Sequence, residues 1–167
     1  MSLTSPITRV QELGSAFLAA AMAATVGTAL AFEHIGGYLP CKLCLEQRIP
    51  YYIGVPVMVL ALISSMLRLP AVVTRVLILA GGALMLWGFV LAGYHAGVEW
   101  AWWEGPADCA SPIATSTGGS LLDQLNAIIP PSCSEASWRF LGLSFAGWNF
   151  IASGFLAAVA FVTAFRK

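Results

Sequence analysis

The sequence predicts an all-α integral membrane protein, a four-helix transmembrane bundle with two outer loops. Three observations carry this prediction. Of 167 residues, 59% are hydrophobic and only 10% are charged, with a mean hydropathy of +0.82, where a soluble domain carries roughly 25% charged residues. The apolar residues gather into four runs, each close to the roughly 20 residues a helix needs to cross a hydrocarbon core. The basic residues are also shared unevenly between the segments that join those runs.

The runs are residues 13–32, 49–67, 76–96 and 145–165, and together they make one membrane domain over 1–167. The first has no charge and is rich in Ala and Gly, small residues that let helix backbones approach closely in lipid. It exceeds the 7–15 residues or so of a signal-peptide core and lacks a clear cleavage context, so it counts as a span. The second opens with Pro50, tolerated in a first turn whose N–H would be unpaired anyway. Pro56 lies deeper and is expected to kink that helix or change its geometry.

Four spans divide the eight basic residues. Arg9, Arg68, Arg75, Arg166 and Lys167 fall on one side, while Lys42, Arg48 and Arg139 fall on the other. The turn at 69–74 is bracketed by two arginines, so both termini are expected to be cytoplasmic and the loops at 33–48 and 97–144 periplasmic. Of the acids only Glu12 lies inside, so a net charge of zero hides a basic inner face and an acidic outer one. No Lys/Arg cluster points to nucleic acid. There is also no GxGxxG after a strand and no CxxCH.

All four cysteines fall in the two outer loops, which on an oxidising side indicates redox or disulfide chemistry. Cys41 and Cys44 form a CxxC after Pro40. Closing so small a ring adds little stability, because loop entropy grows with loop length, whereas such pairs exchange readily. Cys109 and Cys133 enclose a longer polar stretch, where a bridge could also stabilise by roughly 3 kcal/mol. Between them Leu121, Leu122, Leu125, Ile128 and Ile129 follow helical spacing up to Pro130 and Pro131. This suits a short amphipathic helix, lying on the membrane surface or packed on the bundle's outer end.

The segment Cys41-Lys42-Leu43-Cys44-Leu45-Glu46-Gln47-Arg48, leading straight into a span, resembles the hallmark of the DsbB (disulfide bond formation protein B) family. So do the four-span layout, the second-loop cysteine pair, and Cys133 followed by Trp138-Arg139-Phe140-Leu141-Gly142-Leu143. The resemblance covers essentially the whole chain. It implies a bacterial inner-membrane thiol oxidase that reoxidises a periplasmic DsbA-like dithiol protein and passes the electrons to a quinone, ubiquinone or menaquinone. It further implies that the partner attacks Cys109, that the released Cys133 attacks Cys41, and that Cys44 then faces the quinone. A DsbA couple near −120 mV is strongly oxidising, so the final acceptor must have a higher potential still, which suits a quinone.

Two further residues are candidates for contact with that quinone. Arg48 at the mouth of the second span is placed to stabilise a Cys44 thiolate and negative charge on the acceptor; the alternative is an interfacial arginine reaching for headgroups. His95 could bond a quinone carbonyl or a headgroup. Trp100, Trp102, Trp103 and Trp148 fit an interfacial aromatic belt. Some family members carry an acid where this chain has Gln47. Two competing functions are a thiol–quinone enzyme of vitamin K epoxide reductase type and a non-enzymatic protein whose cysteines brace loops or bind metal. In the former the membrane-edge CxxC normally lies late in the chain, whereas here it follows the first span.

Overall fold

The structure, a computed structural model, describes residues 7–106, 109 and 132–166. Helix α1 (Arg9–His34) is followed by a short α2 (Lys42–Glu46), α3 (Ile49–Met66), α4 (Ala71–Glu99), strands β1 (Arg139–Phe140) and β2 (Leu143–Ser144), and α5 (Phe145–Phe165). Helices α1, α4 and α5, and the continuous run of α2 and α3, are long and apolar enough to cross a membrane. The protein is an all-α, four-helix membrane bundle. The amphipathic helix expected at 121–129 lies outside the described residues.

The helices outrun the apolar stretches that reveal them. Helix α1 starts at Arg9, where Gln11 Oε1 accepts hydrogen bonds from the Thr8 backbone N–H at 2.8 Å and hydroxyl at 2.6 Å, pairing groups that a helix start leaves open. Helix α4 begins directly after Pro70 and extends to Glu99. The turn expected at 69–74 is therefore shorter, and Thr74 and Arg75 are buried in the first turns of α4. Helix α3 runs unbroken through Pro56.

Packing is most extensive between α4 and α5, then between α3 and each of α4 and α1. Leu18 and Met22 of α1, Met58 of α3, Ile78 and Met85 of α4, and Leu156 of α5 form the buried core. Small residues set the spacing: a Cβ on Gly81 would meet Met58, and one on Gly154 would lie 2.8 Å from the Phe89 ring. Lipid offers little hydrophobic drive for helix association, so such close contact is the main source of cohesion. At the end holding both termini, Gln11 Nε2 donates to the carbonyls of Thr163 (3.2 Å) and Arg166 (2.6 Å), closing the last turn of α5.

At the opposite end, β1 and β2 pair antiparallel with Arg139 opposite Ser144 and Phe140 opposite Leu143. Leu141 (φ 52°) and Gly142 (φ 82°) form the turn, and two successive positive φ values mark the type I′ hairpin. Ser144 ends the hairpin and caps α5, its hydroxyl accepting from Gly147 N–H at 3.1 Å. The hairpin thus delivers Trp138 and Phe140 to the mouth of the bundle.

Candidate functional site

Both loops at this end bring their cysteines to one place. Cys41 is the N-cap of α2, its sulfur accepting from Cys44 N–H at 3.3 Å. One helical turn carries Cys44 back over it, leaving the two sulfurs 2.8 Å apart as free thiols. Cys109 and Cys133 are joined in a disulfide with Cα atoms 5.7 Å apart. Cys41 and Cys133 are buried together with Leu43 and Val98, and Cys44 and Cys109 flank this cluster. The sulfurs of Cys41 and Cys133 and a ring nitrogen of His95 lie within 4.8 Å of one another.

The two thiols of the CxxC are not equivalent. Hydrogen bonding from the Cys44 thiol, reinforced by His95 against the opposing effect of burial, pulls Cys41 down to about 5. A stabilised thiolate is the form that exchanges and the form that leaves most readily.

His95 is turned into the bundle beside the CxxC. It is 2% exposed and is not among the residues that line the cavity described below. Its Nε2 is 3.7 Å from Cys41 Sγ and 3.8 Å from Glu99 Oε1, while its Nδ1 is 2.7 Å from the amide nitrogen of Gln47. Glu99 is one turn further along α4, on the same face, and also accepts a hydrogen bond from Ser144. The phase of α4 turns His95 inward under the CxxC and leaves Tyr94 outward. Its protein contacts are Cys41, Gln47 and Glu99.

On the other side of Cys44 lies a cavity of about 470 Å³ between α1, the start of α3, the hairpin and α5. Its walls are mostly apolar, including Val26, Phe32, Trp138 and Phe145, and Cys44, Gln47, Arg48, Tyr51 and Asn149 are among its polar groups. A mostly apolar cleft of this size with a few convergent polar groups is the usual form of a small-molecule site. Arg48 is ion-paired with Glu33 of α1, and both line the cavity. Cys44 and Arg48 therefore face the same space. Trp148 also joins the cavity wall, while Trp100, Trp102 and Trp103 remain exposed at this end of the bundle. Cys41, His95 and Cys133 are residue types that hold soft cations, but the Cys133 sulfur is already committed to Cys109.

Four contributors escape a reading of the sequence for site residues. Glu99 had a signal, lying four residues after His95. Asn149 had one too, as the lone side-chain amide within an apolar span. Glu33 shows nothing until the loop and α1 are brought together, and Gln47, noted in the sequence only as standing where some family members carry an acid, gains its contacts when α4 and α5 bring His95 and Asn149 to it.

Fold and site define a multi-pass membrane protein of thiol–disulfide exchange, with two cysteine pairs meeting at one end of a helical bundle. The model of the family described as disulfide bond formation protein DsbB matches residues 11–163, and the chain belongs to that family. It is 30% identical to disulfide bond formation protein B of Aromatoleum aromaticum over 96% of this chain and 94% of that one. It is 33% identical to the protein of the same name from Methylococcus capsulatus over 83% and 82% of the two chains. Disulfide bond formation protein B 2 of Pseudomonas entomophila is 32% identical, with 88% of each chain covered. No solved structure matches the chain.

Proposed function

We propose that the protein is a protein-disulfide:quinone oxidoreductase of the bacterial inner membrane, with its cysteines on the periplasmic side, that reoxidises a DsbA-like dithiol protein. The observation that carries this is the convergence of Cys41 and Cys133 beside one another, with Cys44 turned to an apolar cavity.

The exchange balances as follows. A partner thiolate attacks Cys109, forming a mixed disulfide and releasing Cys133. The Cys133 thiolate attacks Cys41 of an oxidised CxxC, forming a bond between the loops and releasing Cys44. The partner's second thiol resolves the mixed disulfide, leaving the partner oxidised and Cys109 as a thiolate. Cys109 then attacks Cys133, restoring that disulfide and releasing Cys41. The chain now holds the two electrons and two protons of the partner on Cys41 and Cys44.

A quinone in the cavity supplies a two-electron, two-proton acceptor. The residues fit such a group: the cavity is apolar, its volume suits a ring with part of its tail, and Cys44 and the Arg48–Glu33 pair stand at its polar end. Arg48 supplies a fixed cation where negative charge develops, and Glu33 holds its guanidinium in place. Loss of both electrons from Cys41 and Cys44 re-forms their disulfide.

Purified protein in lipid nanodiscs, supplied with a soluble quinone and a reduced DsbA-like protein, should reduce the quinone with one partner disulfide formed per quinol. Cys41→Ser and Cys44→Ser should each abolish this while leaving the protein inserted and helical. Near-normal turnover in either variant would remove the CxxC from the route.

A further inference from the structure

The buried hydrogen bonds around His95 all run in one direction, and that direction is set by a backbone carbonyl. The side-chain nitrogen of Gln47 lies 3.2 Å from the carbonyl oxygen of Leu43. The opposite amide orientation would face two acceptors at each other, so this contact fixes the NH₂ group on that side. The same nitrogen lies 2.7 Å from His95 Nδ1. The Gln47 oxygen meanwhile accepts from Asn149 Nδ2 at 2.7 Å, and the Asn149 oxygen accepts from the Tyr51 hydroxyl at 2.6 Å. Each amide in the series is oriented twice over.

A nitrogen that receives a hydrogen bond carries no hydrogen of its own. His95 Nδ1 is then the acceptor, and a neutral imidazole must carry its hydrogen on Nε2. Nε2 faces Cys41 Sγ at 3.7 Å and the Glu99 carboxylate at 3.8 Å, and both are acceptors when the thiol is ionised. We propose that Gln47 is a positioning residue that holds His95 in its Nε2–H tautomer, aiming a hydrogen-bond donor at Cys41. Its consequence for exchange rests on the relay proposed above, because a donor at Cys41 stabilises the thiolate released when Cys109 attacks the bond between the loops. Other groups close to the ring are Cys133 and, through Cys41, Cys44.

The direction of these bonds depends on Gln47 being an amide. An acid at the same position would accept a hydrogen bond from Nδ1 instead of donating one, and would reverse the assignment of the ring nitrogens.

Long-range ¹⁵N–¹H correlation spectra of the reduced protein in micelles, labelled at its two histidines, test this with no partner or quinone present. His34, which is exposed, serves as the internal reference. The expected result is a bare Nδ1 and a protonated Nε2 for His95 at neutral pH. Gln47→Glu should transfer a hydrogen to Nδ1. Gln47→Leu should release the ring into a mixture of tautomers and, at a pH below 5 where Cys41 is mostly protonated, slow its methanethiolation by about tenfold, the scale of one hydrogen bond to a charged group. A protonated Nδ1 in the unaltered protein overturns the proposal without any variant needing to fold, and so does an unchanged His95 signal in Gln47→Glu. Either result leaves the relay standing. Conversely, loss of the relay in the quinone assay would leave the spectra of His95 as expected.

Discussion

Cys41 and Cys44 are the same side chain in different surroundings, and the difference predicts a pH dependence. Cys41 is lowered to about 5, chiefly by the Cys44 thiol, against an ordinary thiol value of roughly 8.5. A lowered value means that the fold favours the ionised form. The stabilisation this brings is complete above the ordinary thiol value and is lost as the pH falls through about 5. The rate at which a small methanethiosulfonate labels Cys41 in the reduced protein, read by mass spectrometry, should therefore rise through pH 5 and level off before neutrality. Cys44→Ala removes the largest contribution, so its midpoint should move up towards the ordinary value. A midpoint that stays near 5 in that variant would transfer the effect to His95. The residue types of the site were legible as a CxxC and an arginine four positions on. Their inequality was not, because it depends on which neighbour donates to which sulfur.

The elements divide between those that the sequence announces and those that only packing reveals. Spans at 13–32, 49–67, 76–96 and 145–165 were legible, since a helix in lipid must hide its backbone and clothe itself in apolar side chains. Their true ends lie beyond those runs, at Thr8–Gln11, where a cap sets the start of α1, and at Pro70, after which α4 begins; hydropathy marks neither position. The hairpin at 139–144 was read only as part of a family resemblance; its strands are two residues each, too short for alternation to show. Its turn has a specific cost. Leu141 is exposed and held at φ 52°, where a leucine is strained, while Gly142 sits at φ 82° without penalty. Leu141→Asn should stabilise the protein by roughly 0.5–1 kcal/mol, and Gly142→Ala should destabilise it by about 1–2 kcal/mol. Thermal unfolding followed by tryptophan fluorescence in micelles would register both, as Trp138 and Trp148 flank the turn. Identical midpoints for all three proteins would mean that the hairpin unfolds independently of the bundle.

At the scale of the whole molecule, the two spans between the loops return both loops to one end of the bundle, and the Cys41–Cys133 contact depends on that arrangement. That the loops share an end follows from counting apolar runs, whereas their contact does not, because nothing local in 33–48 specifies a partner in 97–144. The contact also makes the second pair unequal: Cys133 is 2% exposed against Cys41, while Cys109 is only partly buried. This difference in exposure supports the proposed relay, in which an incoming nucleophile from another protein attacks Cys109 and the buried sulfur carries the exchange inward. Cys133→Ala takes away the residue that passes the exchange on, so Cys109 should be captured and held. The probe is a DsbA-like protein lacking its own resolving cysteine and activated as an aryl disulfide. Cys109 then displaces the aromatic thiol and forms a single mixed disulfide that peptide mapping can place. Cys133→Ala should trap rapidly and at Cys109, while Cys109→Ala should trap at least about tenfold more slowly, since the bundle shields Cys133 from a bulky partner. Equal rates, or linkage to Cys41 while Cys109 is present, would show that the partner enters by another sulfur and that the proposed order of attacks is wrong.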